Sequence, residues 1–286
     1  AMKLALVQIY PWDRPSLCEL GDWSLEIGQR LLVETENGQE LGRVLGFKYL
    51  SDDQAAAWSG HTKKIAALAS QEDCQIVDNF DKTTALSQCQ QFIDQCQLEM
   101  KLVDAAISAD NRRLTFAFTA EGRIDFRELV RLLTRNFNKQ IRLQQIGTRD
   151  EAKLFGGQGV CGRGLCCRGF LTELSSVTSD MAEIQGINHR GSERISGICG
   201  RLMCCLAYEA DGYQAMAKKL PDIGSQWKVD GQMGYVINRH ILKGTIMVEL
   251  HDNQSGGWTI VEVTPGQATD KKDAPVQRRW AGRRNK

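Results

Sequence analysis

Two heptads hold six of the chain's ten cysteines: Cys161-Gly-Arg-Gly-Leu-Cys166-Cys167 and Cys199-Gly-Arg-Leu-Met-Cys204-Cys205. The frame Cys-Gly-Arg-x-x-Cys-Cys is kept while the residues inside it change, so the pair reads as one site built twice. Adjacent cysteines bridge each other only through a strained ring, and nothing in the chain points to an oxidising compartment, so a disulfide framework is set aside. Thiolates at a fixed spacing are ligands for zinc or for an iron–sulfur cluster. Gly162 and Gly200 let the backbone pass close to a metal, and Arg163 and Arg201 place a guanidinium beside a negatively charged thiolate cluster. Four thiolates satisfy one zinc or one four-iron cluster and leave two over; six can also hold two zincs through two shared thiolates, whereas two four-iron clusters need eight, two of them from elsewhere. His189, His240 and His251 could complete a zinc shell, although a lone histidine at such a sequence distance is more often incidental.

The elements that must carry these thiols are legible on either side. Residues 2–48 read as short strands, "KLALVQI", "QRLLVET" and "GRVLGF", with the Asn-Gly of "ENGQ" at 36–39 marking a hairpin. A similar pattern recurs between Leu220 and Val263. Ile27-Gly28 followed by Gly42-Arg-Val44 can be laid against Ile223-Gly224 followed by Gly234-Tyr-Val236, so both ends are expected to be small SH3-like barrels. Between them, Leu86, Cys89, Phe92, Ile93 and Cys96 fall on one face at helical spacing, which makes Cys89 and Cys96 core residues rather than ligands. "KLVDAAI" and "RRLTFAF" alternate as strands. The stretch 125–137 is a helix with Asp125 as N-cap, Glu128 three residues on and a stripe of Phe126, Leu129, Val130, Leu133 and Phe137; "QIRLQQI" returns as a strand.

The expected fold class is therefore α+β. A small N-terminal β-barrel (1–50) leads to a central α+β sandwich with an antiparallel sheet (51–150). A cysteine-rich metal region (151–215), a C-terminal SH3-like β-barrel (216–265) and a disordered basic tail (266–286) follow.

Composition narrows the function classes. The formal net charge is +1, yet residues 270–286 carry seven Lys/Arg against two Asp and have Trp280 as their one large apolar side chain. Such a tail cannot offset its ordering entropy. Arg278, Arg279 and Trp280 could hold RNA by phosphate contact and stacking, though a solubilising tail is the simpler reading. Arg127, Arg131 and Arg135, four residues apart on the outer face of the second helix, pose the same choice between a solvated face and an RNA or partner groove. The N-terminus has neither the basic n-region nor the long apolar core of a signal peptide, and no apolar run approaches a membrane span, so a cytoplasmic protein is expected. Catalysis is not: there is no paired-carboxylate, Ser-His or Cys-x-x-Cys signature, and "GGQG" at 156–159 lacks the Lys-Ser/Thr of a phosphate loop.

Four stretches, "VETENGQELGRV", "LTFAFTAEGRIDFRELVRLL", "QIGTRDEAKLFGGQGVCGRGLCC" and "ISGICGRLMCCLAYE", together resemble the bacterial YaaT/RicT regulators with their polymerase-suppressor-type (PSP-one) C-terminal domain, from about residue 2 to 265. The resemblance implies a non-enzymatic cytoplasmic scaffold that acts with two small helical partners of the YlbF and YmcA type. It implies 4Fe–4S clusters held by Cys161, Cys166, Cys167, Cys199, Cys204 and Cys205, and promotion of RNA maturation by ribonuclease Y, with effects on sporulation, competence and biofilm formation. RNA itself is a further partner. The chain departs from the family at 177–185, where Asp180 and Glu183 stand at or near positions usually basic. The alternative from another class is a zinc-stabilised nucleic-acid-binding module linked to DNA replication or RNA.

Overall fold

The protein is described by a computed structural model covering residues 2–36, 38–50, 62–171, 174–187, 191–251 and 257–265. The chain divides into two compact units, one of residues 1–158 with 163–168, the other of 159–162 with 169–286.

In the first unit, β1 (Met2–Gln8), β2 (Ser16–Glu19), β3 (Arg30–Thr35), β4 (Gly38–Leu50) and β5 (Lys63–Leu68) close a barrel in the order β1-β2-β5-β3-β4. Alternation drives it: Ala5, Val7, Leu31, Val33 and Val44 point inward with Cys18 and Leu25. The hairpin read at 36–39 is present, with Thr35 paired to Gly38. The fifth strand comes from beyond residue 50 and pairs parallel to β2.

Two capped helices follow, α1 (Gln71–Asp78) and α2 (Lys82–Gln95). Ser70 and Asp73 form a reciprocal capping box on α1, and Asp81 accepts the Thr84 N–H at 3.0 Å on α2. They pack on a three-stranded sheet, β6 (Lys101–Ile107), β7 (Arg113–Thr119) and β8 (Gln140–Gln145), with α3 (Arg127–Phe137) crossing from β7 to β8. The expected stripe is inside: Leu129 and Leu133 are buried, and Phe126 and Phe137 pack against the same core as Cys89 and Ile93. Two details differ from expectation. The sheet is mixed, because α3 forms a crossover that returns β8 parallel to β7. The N-cap of α3 is Phe126 rather than Asp125, whose carboxylate accepts the Arg127 N–H at 3.2 Å from one position earlier.

Thr148–Phe155 forms α4, after which the chain enters the first heptad. In the second unit α5 (Ser179–Ile184), a 3-10 turn (Ser192–Ile195) and α6 (Cys204–Ala217) share a core of Ala182, Ile195 and Leu206. The C-terminal strands β9 (Gln226–Val229), β10 (Gln232–His240), β11 (Thr245–His251) and β12 (Trp258–Val263) form an antiparallel meander in sequence order. Among the described residues this sheet is open, where a closed SH3-like barrel was expected: β9 and β12 remain its edges. The predicted likeness of the two ends is nonetheless physical. Gly28 and Val44 are joined by Gly28 N–H to Val44 O (2.8 Å) and Val44 N–H to Gln29 O (2.9 Å); Gly224 N–H to Val236 O (2.7 Å) and Val236 N–H to Ser225 O (2.9 Å) repeat the arrangement. Gly234 is required there, since a Cβ would stand 2.5 Å from the Glu249 carbonyl oxygen. The basic tail lies outside the described residues. No helix among those described is long and apolar enough to cross a membrane.

Candidate metal centre

Each heptad folds into the same short hairpin. In the first, Gln158 bridges Gly164, Gly162 N–H donates to Gly159 O at 2.9 Å, and Arg168 N–H donates to Leu165 O at 3.0 Å. In the second, Ser196 bridges Leu202, Gly200 N–H donates to Gly197 O at 2.9 Å, and Leu206 N–H donates to Met203 O at 3.1 Å. The glycine after the first cysteine adopts φ +75° in one and +74° in the other, with open space where a Cβ would be. What selects glycine is therefore the left-handed backbone, which an L side chain resists.

Past the Cys-Cys pair the copies diverge for a local reason. Leu-Ala-Tyr-Glu-Ala continues the second turn into α6, which starts at Cys204, whereas Arg-Gly-Phe breaks the first after one turn. Cys204 and Cys205 thus occupy the helical end where aligned peptide dipoles favour negative charge. Arg168, just before the helix-breaking Gly169, reaches back to the Phe155 carbonyl at the end of α4.

The thiols differ in exposure. Cys161 is exposed, Cys167 buried, and Cys166, Cys199, Cys204 and Cys205 half-buried. No disulfide joins any of the ten cysteines. Cys161, Cys199, Cys204 and Cys205 belong to the second unit, Cys166 and Cys167 to the first. Among the described residues no three Cys, His, Asp or Glu side chains meet in a group that could hold a metal ion. Arg163 and Arg201 are exposed beside their hairpins. Of the zinc candidates, His251 packs edge-on to Trp258 at 4.8 Å between ring centroids, His240 ends β10, and His189 lies outside the described residues.

The repeat is longer than the heptad. Val160 and Ile198 precede the first cysteines, both well exposed, and Phe170 and Tyr208 stand three residues after the Cys-Cys pairs. Phe170 and Tyr208 meet edge to face, 5.1 Å between centroids. They are equivalent positions of the two copies in contact with each other. Beside them Leu171, Leu174, Ser175, Cys204 and Tyr208 line an open cavity of about 400 Å³. The pairs Val/Ile and Phe/Tyr at the same 38-residue offset carry this longer repeat in the sequence, beyond the identical letters of the heptads.

The arginine row on α3 is largely engaged. Arg127 holds Asp125 at 2.6 Å and drives that carboxyl down to about 2, chiefly by hydrogen bonding; Arg131 pairs with Glu128 at 2.6 Å; Arg135 closes the last turn. Arg278, Arg279 and Trp280 lie outside the described residues.

Residues 63–146 match the family model described as the PSP1 C-terminal conserved region, and residues 176–220 match that of the PSP1-like protein third domain. The second match contains the second hairpin. The chain is 41% identical over 223 residues to the stage 0 sporulation protein YaaT of Bacillus subtilis (strain 168), covering 77% of this chain and 80% of that protein. An uncharacterized protein of Schizosaccharomyces pombe is 30% identical over 146 residues, 41% of this chain and 19% of the relative. No solved structure matches.

Proposed function

From the membership of this chain in the YaaT family, with its PSP1 region, we propose that it is a non-enzymatic regulatory protein of the sporulation-stage type, which holds an iron–sulfur cluster and assembles other proteins around it. The observation that carries this reading is the doubled hairpin, two copies of one fold with three thiols each and an aromatic contact between equivalent positions. The donor set is chemically suited to iron–sulfur ligation: soft thiolates, a left-handed glycine beside the first ligand, and an arginine next to it. Cys161, Cys166, Cys167, Cys199, Cys204 and Cys205 would hold the cluster. Among the described residues no three of them meet in one group, and in this reading another chain lends ligands to complete the set. A bound cluster would supply a redox-sensitive centre. The chain's own part is to fix the thiols on hairpins and to present Phe170, Tyr208, Val160 and Ile198 to a partner.

The partners in this reading are small helical proteins of the YlbF and YmcA type and ribonuclease Y, whose RNA-maturing activity the assembly promotes in the cytoplasm. Exposed apolar side chains around the hairpins suit a helix face. Purification without oxygen, with iron, sulfide and zinc measured together, tests the cofactor. Iron and sulfide in equal amounts are expected, lost in Cys166→Ser and Cys204→Ser; zinc in their place establishes the metal-stabilised nucleic-acid module instead. Pull-down from the host with and without those substitutions tests the assembly, and recovery of the same partners from both variants refutes a role for the cluster in it.

A further inference from the structure

The barrel and the mixed sheet of the first unit bury ionisable groups where they meet. Tyr10 and Trp12 stack at 5.0 Å and pack with Val103, Ala117 and Ile146. Trp12 donates to Gln144 Oε1 at 3.2 Å, and Gln144 donates to Asp13 Oδ1 at 2.7 Å. Glu40 on β4 is 2% exposed; its Oε1 lies 3.2 Å from Arg113 Nη2 on β7. That cluster is incompletely satisfied: Glu40 Oε1, Arg113 Nε and the Tyr10 hydroxyl are buried without a hydrogen bond of good geometry, and Tyr10 lies close enough to Glu40 and Thr115 to interact with both. Buried polar atoms are seldom left so, because each costs its full desolvation.

Glu40 and Tyr10 form the buried end of a cavity of about 280 Å³, whose wider walls carry Asp13, Arg14, Lys63 and Arg142. Its one fully buried acid, Glu40, lies deep; Asp13, Lys63 and Arg142 are half-buried, and Arg14 and Glu36 are exposed, so outside Glu40 the bases outnumber the acids by three to two. The ligand that complements this has two unlike ends. The deep end must donate hydrogen bonds to Glu40. It must also be uncharged, because the Arg113 guanidinium already sits on that carboxylate and a second cation there would be repelled. The outer end must be anionic to meet Arg142, Lys63 and Arg14. The volume is at the small end of ligand sites and excludes an oligomer from the interior. A neutral heterocycle with N–H donors joined to a phosphate has this chemistry.

We propose that this cavity binds a single nucleotide, base edge toward Glu40 and Tyr10, phosphate toward Arg142, Lys63 and Arg14. A free mononucleotide and the 5′-terminal nucleotide of an RNA present the same groups. None of the heptad cysteines lines the cavity, so this site stands or falls apart from the cluster.

Titration calorimetry on the full chain with GMP, AMP, inorganic phosphate and a 5′-phosphorylated RNA hexamer tests it. One saturable site per chain is expected for at least one monophosphate. Lys63→Gln and Arg142→Gln should each weaken that site about tenfold, the loss of one charge-assisted contact, with circular dichroism unchanged. Competition by the hexamer as strong as by the mononucleotide assigns the site to RNA ends, and competition by the mononucleotide alone assigns it to a metabolite; either supports the proposal. No saturable binding at millimolar nucleotide, phosphate alone binding as tightly as the nucleotide, or folded variants binding like the parent protein would overturn it.

Discussion

Ten cysteines sort by what surrounds them. Burial pushes the Cys18 thiol up to about 11 and the Cys89 thiol up to about 12, so neither is a useful nucleophile or ligand near neutral pH. Cys161 is exposed on its hairpin. Alkylation of the metal-free folded protein at pH 8, read by peptide mass spectrometry, should therefore label Cys161 early and leave Cys18 and Cys89 unmodified until denaturant is added. Labelling of Cys89 at the rate of Cys161 would show that the α2 core opens. The helical period was enough to remove Cys89 from the ligand list, because a residue on an apolar stripe goes where the stripe goes. Nothing local distinguishes exposed Cys161 from buried Cys167, which share a heptad.

The hairpin is the unit that occurs twice, and its glycine is held in left-handed backbone in both copies. Gly162→Ala and Gly200→Ala should each cost about 1–2 kcal/mol, the strain of an L residue in left-handed backbone, although neither Cβ would touch anything. Gly164→Ala, at an ordinary φ and also in open space, is the control and should be close to neutral. Denaturant unfolding of the three variants checks this; equal stability across them would mean the hairpin does not hold its conformation in solution. At this scale the letters Cys-Gly-Arg announced a repeated turn. Of the two details that differ from expectation, the strand direction is decided at long range, β8 returning parallel because α3 crosses the sheet, whereas the cap differs by a single residue, Asp125 serving one position before it.

Across the first unit, Glu40 and Arg113 join barrel to sheet over a gap of sequence that no local pattern spans. A buried pair is costly to half-remove, since the survivor is left charged in a poor medium. Glu40→Gln or Arg113→Met alone should cost about 3–5 kcal/mol, while Glu40→Met combined with Arg113→Met should cost less than either single change. A double-mutant cycle by urea unfolding measures this, and simple additivity would show that the two side chains do not act as a pair. Burial also raises the Glu40 and Asp13 carboxyls above their usual range. The native state then keeps protons that the unfolded chain has lost, so these two groups contribute stability that declines as pH rises from the ordinary carboxylate range to their elevated values.

Period and spacing in this chain determined what depends on near neighbours: the strands of the barrel, the stripe on α3, the core assignment of Cys89, the paired hairpins and the likeness of Gly28–Val44 to Gly224–Val236. Each is a matter of a few residues choosing a backbone conformation or a face. Tertiary structure alone decided the rest. It recruited Lys63–Leu68 into the barrel, left the described C-terminal strands as an open sheet, set Phe170 against Tyr208, and buried Glu40 beside Arg113 under a cavity lined by charges of both signs. Those outcomes depend on surfaces brought together by chain closure, and the residues that meet there carry no mark of one another in the sequence.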